Sequence, residues 1–166
     1  LREDLGMEVR GESILLLGAG GAGRVAALKI AATGVKELFL VNRTSSKAEA
    51  IATEIRDRFP AVQVHVNYPA AEVDLVLNAT SLGLRPDDPL PFDPTAFSLG
   101  KSRAVYDMVY RPTETPLLAA AAESGCKTAN GLGMLLHQGA KALEIWTGQT
   151  APLKVMRRAL EETIYG

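Results

Sequence analysis

The feature that most constrains this chain is the hexapeptide Gly18-Ala19-Gly20-Gly21-Ala22-Gly23, set between an apolar run and a helix-forming stretch. The run Ser13-Ile14-Leu15-Leu16-Leu17 is too continuous in its hydrophobicity for a half-exposed strand and suits a buried parallel one. A helix is expected from about Ala22 to Thr33. In that setting each glycine has a task. Gly18 permits a tight turn, Gly20 lets backbone N–H groups approach a pyrophosphate, and Gly23 allows the helix to pack closely on the strand. The helix N-terminus then faces the anion. The alternative is a purely structural glycine-rich turn, but the strand before it and the helix after it meet the condition that separates the two.

The remainder of the chain alternates strand-like and helix-like segments. Strands are predicted at Glu37–Val41, Gln63–Asn67, Leu75–Asn78, Ala104–Met108 and near Lys127–Ala129. Thr44-Ser45-Ser46 offers caps for an amphipathic helix ending near Phe59, before Pro60, and Thr115-Pro116 is an N-cap and N1 pair for a helix to Ser124. Pro86, Pro89, Pro91 and Pro94 exclude regular structure between Gly83 and Ser98 and predict a surface loop at a site rim. Two more helices are expected at Leu132–Thr147 and Pro152–Tyr165, the second with Leu153, Met156, Leu160 and Ile164 on one stripe. This pattern predicts an α/β fold: one Rossmann-type, doubly wound parallel sheet of about six strands with helices on both faces, over residues 1–166. Its ligand site lies at the carboxyl ends of the strands.

Charge and cysteine content remove several classes of function. Eighteen basic against 19 acidic residues give a net charge of -1, and the longest basic run is Arg157-Arg158, so no nucleic-acid partner is expected. No segment has the roughly 20 apolar residues of a membrane span. The lone Cys126 has no metal-ligand neighbours and suits a reducing compartment, so a cytoplasmic location is expected and no metal. The chain opens with Leu1 in what reads as the tail of a helix ending near Gly6, a hint of truncation.

The end of the second strand selects the dinucleotide. An NAD enzyme usually places Asp or Glu there to bond the ribose 2'-hydroxyl. This chain has Asn42-Arg43-Thr44, with Lys47 on the next helical turn. Arg43 can fork onto a 2'-phosphate, Thr44 can donate a hydroxyl, and no acid repels the charge, so NADP (NADPH) is favoured over NAD. The alternative makes Arg43 and Lys47 solvated surface charges and Thr44 only an N-cap.

With these motifs in place the chain resembles the cofactor domain of shikimate dehydrogenases over nearly all of its length. The segments that carry the resemblance are Gly18–Gly23, Asn42-Arg43-Thr44 with Lys47, Asn78-Ala79-Thr80-Ser81-Leu82-Gly83, Tyr106-Asp107-Met108-Val109-Tyr110, and Asn130-Gly131-Leu132-Gly133-Met134-Leu135-Leu136-His137-Gln138. The resemblance implies that Asn42, Arg43, Thr44 and Lys47 hold the 2'-phosphate and that Ala79 and Thr80 line the ribose. Met108, Gly131 and Met134 would border the nicotinamide, and Tyr110 and Gln138 would position shikimate or 3-dehydroshikimate. It also implies that the catalytic Lys and Asp belong to an N-terminal substrate domain and the segment after it, without counterpart here; Asp4 is not that Asp. The chain would then be the cofactor half of an NADPH-dependent oxidoreductase of aromatic amino-acid biosynthesis, with its own N-terminal domain as partner, inactive alone, and monomeric or homodimeric. The rivals are a quinate/shikimate dehydrogenase using NAD and a non-catalytic nucleotide-binding module.

Residues outside those motifs receive structural roles. Asp107 is expected to cap the turn after its strand, His65 and His137 to pack or lie on the surface, and Leu143, Ile145 and Trp146 to serve core or interface. By the resemblance the last helix can return toward the substrate domain, so its apolar stripe is expected to be exposed here.

Overall fold

The computed structural model describes all 166 residues. Its six strands are β1 (Ser13–Leu17), β2 (Glu37–Val41), β3 (Gln63–His65), β4 (Val73–Asn78), β5 (Ser102–Asp107) and β6 (Lys127–Ala129). They form one parallel sheet in the order β3-β2-β1-β4-β5-β6, so the chain reverses direction across the sheet between β1 and β4. The helices are α1 (Arg2–Leu5), α2 (Gly21–Ala32), α3 (Ser45–Arg58), α4 (Pro116–Glu123), α5 (Leu132–Thr147) and α6 (Leu153–Tyr165).

Strand β1 shows why the sheet sits where it does. Ile14 to Leu17 are wholly buried, and alternate side chains enter opposite cores: Ile14 and Leu16 one face, Leu15 and Leu17 the other. Each such leucine contributes on the order of 2 kcal/mol by leaving water. The first core takes Ala27 and Ile30 of α2 and Ile51, Ala52 and Ile55 of α3. The second takes Leu117, Leu118 and Ala121 of α4, and is completed by Phe92, Phe97 and Leu99 from the segment joining β4 to β5. That proline-rich segment is the expected loop, with one 3-10 turn at Leu99–Lys101, and it does the covering that a crossover helix would otherwise do.

Several element ends differ from expectation. Strand β3 stops at His65 rather than Asn67, because Val66 and Asn67 leave the ladder as the chain bends toward Pro69. Strand β4 starts two residues early, at Val73, where its partner is Ser102. Thr115 caps α4 as expected, its hydroxyl accepting from the Leu118 N–H at 3.3 Å. Thr44 occupies the N-cap position of α3, but its side chain makes no capping bond.

The last two helices pack on each other, and α6 has no fully buried residue. Met156, Leu160 and Ile164 of its stripe are half-covered and Leu153 is exposed. Trp146 stands 82% exposed and Ile145 69%, so neither belongs to the core of this chain. No helix is long and apolar enough to cross a membrane.

Candidate cofactor site

The strand register gathers the predicted residues. Val41, Leu17, Asn78 and Asp107 stand level in neighbouring strands. The next residue of each strand, Asn42, Gly18, Ala79 and Met108, therefore begins a loop on the same rim of the sheet. A cleft of about 790 Å³ opens there, lined by Gly18, Gly20, Asn42, Arg43, Thr44, Lys47, Ala79 and Thr80 on the predicted side, and by Tyr68 and Leu90 to Asp93 opposite.

The loop has the close approaches its glycines imply. Gly18 has φ +103°, and a Cβ there would meet Thr80 Cγ2 at 2.9 Å and the Ala79 carbonyl carbon at 3.0 Å. A Cβ on Gly23 would overlap the Gly18 carbonyl oxygen. Gly20 and Gly21, by contrast, have open space where a Cβ would stand. The Gly18 and Ala19 amides are used within the chain, by Val41 O and Asn42 Oδ1. The amides of the first turn of α2 have no helical acceptor and point out of the helix start. A backbone cradle that is tight behind and open in front fits a pyrophosphate.

Asn42 is a structural link at the mouth of that cradle. Its Oδ1 accepts the Ala19 N–H at 3.0 Å and its Nδ2 donates to the Thr44 carbonyl at 2.9 Å. Arg43, Thr44 and Lys47 are exposed toward the cleft, and neither cation forms an ion pair, whereas the α3 arginines 56 and 58 pair with Glu49 and Glu54. Because Thr44 makes no capping bond, its hydroxyl is free to face a ligand.

On the far side of the reversal point a buried polar network fixes the loops after β4 and β5. Asn78 Nδ2 donates to Asp107 Oδ1 at 2.9 Å and to Leu82 O at 3.1 Å, and Asn78 Oδ1 accepts from the Thr80 amide and hydroxyl at 3.0 and 2.8 Å. Asp107 also accepts the Val109 N–H at 3.0 Å and the Thr115 hydroxyl at 2.7 Å. Burial raises the Asp107 carboxyl above its ordinary range, and these three donors act against that rise. Asp107 thus caps the turn, as expected, and through Asn78 it also sets Thr80.

Met108 and Gly131 meet at the start of α5, Met134 stands in the first turn of that helix, and none of the three lines the cleft. A Cβ on Gly131 would overlap the Met108 carbonyl oxygen, and the Gly131 N–H donates to Val109 O at 3.1 Å. Just before the Gly131 N-cap, Asn130 Oδ1 accepts the Leu132 N–H at 3.0 Å. Tyr110 and Gln138 are exposed and line no part of the cleft. The Tyr110 carbonyl accepts from the Tyr165 hydroxyl at 2.8 Å, and that hydroxyl in turn accepts from Asn130 Nδ2 at 3.0 Å. His137 pairs with Glu3 at 3.0 Å, and His65 stacks on Phe39. Tyr68 and Tyr165 lie outside every motif read from the sequence, because their partners are 25 to 55 residues distant; Asn78 and Asn130 open two of those motifs, but their links to Asp107 and Thr113 come only from the fold.

A parallel sheet in this order, with a glycine-rich loop after β1 and an open crevice at the reversal point, defines an α/β dinucleotide-binding domain of Rossmann type. Comparison with known proteins narrows the class. The family model for shikimate/quinate 5-dehydrogenase matches residues 2–83, and that for the shikimate 5'-dehydrogenase C-terminal domain matches residues 131–161. The NADP(+) shikimate dehydrogenase of Methanopyrus kandleri is 37% identical over 98% of this chain. A crystal structure of a shikimate dehydrogenase in complex with NADP+ is 34% identical, with a TM-score of 0.82 over 98% of this chain and 58% of that one. The quinate dehydrogenase of Corynebacterium glutamicum in complex with NAD is 31% identical, with a TM-score of 0.81 over 97% of this chain and 58% of that one. The chain belongs to the shikimate/quinate dehydrogenase family and spans about 58% of the length of the curated relatives it matches.

Proposed function

We propose that this chain is the NADP-binding domain of an oxidoreductase that interconverts 3-dehydroshikimate and shikimate. The carrying observation is the cleft itself: the open cradle at Gly20 and Gly21 leads to Arg43, Thr44 and Lys47, with no carboxylate at the end of β2 and no ion pair on either cation.

The amides from Gly20 to Gly23 would bind the pyrophosphate, aided by the α2 N-terminus. Arg43 and Lys47 would neutralise the 2'-phosphate and the Thr44 hydroxyl would bond it. Asn42 holds the loop against this group. Ala79 and Thr80 would line the ribose, with the Thr80 hydroxyl oriented by Asn78. Met108, Gly131 and Met134 would border the nicotinamide, and their apolar surface keeps water from that ring. The bound nicotinamide supplies the hydride. Tyr110 and Gln138 would position the substrate hydroxyl or carboxylate, working with a substrate-binding domain of the same polypeptide whose groups carry proton transfer.

Calorimetric titration of the purified chain with NADP and NAD tests this reading. NADP is expected to bind, and Arg43→Ala to weaken NADP by about 50-fold while changing NAD less than about threefold. Equal losses for the two dinucleotides would remove Arg43 from the 2'-phosphate site.

A further inference from the structure

We propose that Tyr68 and Asp93 form an adenine-reading wall in the cofactor cleft, selecting a 6-aminopurine with one hydrogen-bond donor and one acceptor. The proposal rests on the reading of the cleft as a dinucleotide site.

The pyrophosphate cradle follows β1 and the ribose-selecting residues follow β2, so the adenosine half extends toward the β2–β3 side of the rim. Tyr68 lies three residues beyond the end of β3. The segment Leu90 to Asp93 belongs to the connection between β4 and β5, yet it reaches back across the rim to meet Tyr68, where the Asp93 N–H donates to Tyr68 Oη at 2.9 Å. Both residues line the cleft together with Leu90, Pro91 and Phe92, apolar side chains that suit the face of a purine.

The Tyr68 ring lies nearly parallel to Phe97, 12° apart, and Phe97 meets Phe92 edge-on at a centroid distance of 6.2 Å. Phe92 and Phe97 are both buried in the second core, so the wall is braced from behind.

Tyr68 Oη accepts from Asp93, and its own proton has no acceptor within the chain, so it can donate into the cleft. Asp93 Oδ1 accepts from the Thr95 amide at 2.8 Å and hydroxyl at 2.7 Å, contacts that hold the carboxyl ionised below its usual range. Oδ2 has no partner and can accept. On either of its polar edges adenine presents the N6 amino donor beside a ring-nitrogen acceptor, N1 or N7. That pair complements one donor and one acceptor. The wall takes the N7 edge, where hypoxanthine presents two acceptors, O6 and N7, in place of a donor and an acceptor and would set O6 against the carboxylate.

The test compares NADP with nicotinamide hypoxanthine dinucleotide phosphate by calorimetry on the intact chain. The unaltered chain is expected to prefer NADP by about tenfold, the worth of one charge-assisted hydrogen bond. Asp93→Asn keeps the Oδ1 bonds to Thr95 but turns the free acceptor into a donor, and is expected to bring the ratio to unity or reverse it. Tyr68→Phe keeps the ring and is expected to weaken NADP about fivefold without moving the NADP-to-NAD ratio. Circular dichroism and melting temperature confirm that each variant is folded. Equal binding of the two bases by the unaltered chain, or an unchanged ratio in Asp93→Asn, overturns the proposal. If Arg43→Ala still collapses the NADP preference in that case, the cofactor reading stands without it. If no dinucleotide binds, both fall.

Discussion

Two helices in this domain begin on glycine-rich turns that press against a strand end, and they have opposite fates. At the start of α2, Gly23 lies on the Gly18 carbonyl, while Gly20 and Gly21 look into open space. At the start of α5, Gly131 lies on the Met108 carbonyl in the same manner, but the space beside Gly133 is filled by the Asp4 carboxylate, which also pairs with Arg157 at 3.7 Å. Both helix starts carry the partial positive charge of the helix dipole, though at α5 the Gly131 and Leu132 amides already donate to Val109 O and Asn130 Oδ1. One leaves it for a ligand. The other meets it with an internal anion, so glycine spacing alone does not make a phosphate site; what occupies the space in front of it decides.

The largest expected effect comes from closing the first of these contacts. Gly23→Ala puts a methyl group into the Gly18 carbonyl, and unfolding in urea should show a loss of about 3 kcal/mol, with NADP binding abolished in the same sample. Gly131→Ala is expected to destabilise comparably but to weaken NADP only about tenfold, since the pyrophosphate cradle remains intact. Equal losses of affinity in the two variants would mean that the halves do not differ as described.

Next in size is the network between the halves. Asp107→Ala leaves the Asn78, Val109 and Thr115 donors unpaired in a buried place and should cost roughly 2–3 kcal/mol by chemical unfolding. Asp107→Asn retains one carbonyl oxygen and should recover about half of that. Asp4→Ala tests the internal anion: melting is expected to report a loss of about 1 kcal/mol, with NADP affinity unchanged. A marked change in affinity would tie α5 more closely to the cofactor than its filled start suggests.

The smallest effect is in acid. Asp74, at the opposite rim of the sheet, accepts from Ser13 and Arg103, and its pKa is lowered to about 2 although burial alone would raise it. Its contribution is present above the ordinary carboxyl value of 3.8 and is lost as pH falls through about 2. Asp107 has the opposite sign: the folded form holds its proton to higher pH, so its contribution declines as pH rises above the unfolded value. Stability curves of Asp74→Asn should therefore be flatter than those of the unaltered chain between pH 4 and about 2, the window set by these shifts. Unchanged steepness would show that other carboxylates govern acid unfolding.

The sheet and the conformation of the glycine loop are legible because their signals are local. The run Ile14 to Leu17, the glycines that follow, and the Thr115-Pro116 pair each declare their own conformation within a few residues. The end of β3 differs from expectation because Val66 and Asn67 have strand-like composition but no ladder to join. Thr44 illustrates a different limit: residue type and position both suit an N-cap, yet the hydroxyl makes no such bond. The wall formed by Tyr68 and Asp93 joins residues 25 apart that follow different strands, and only the fold brings them together. Asn130 and Tyr165 behave likewise, holding the Tyr110 segment from two distant helix ends.

Asn42 sets a restriction on how this lineage could trade one cofactor for the other. The position where an acidic residue would favour the unphosphorylated ribose is also the splint between the glycine loop and the start of α3. An aspartate there could still accept the Ala19 amide, but it could not donate to the Thr44 carbonyl. A change of cofactor preference through this position therefore passes through an intermediate with a loosened loop, unless a second substitution restores the lost donor first.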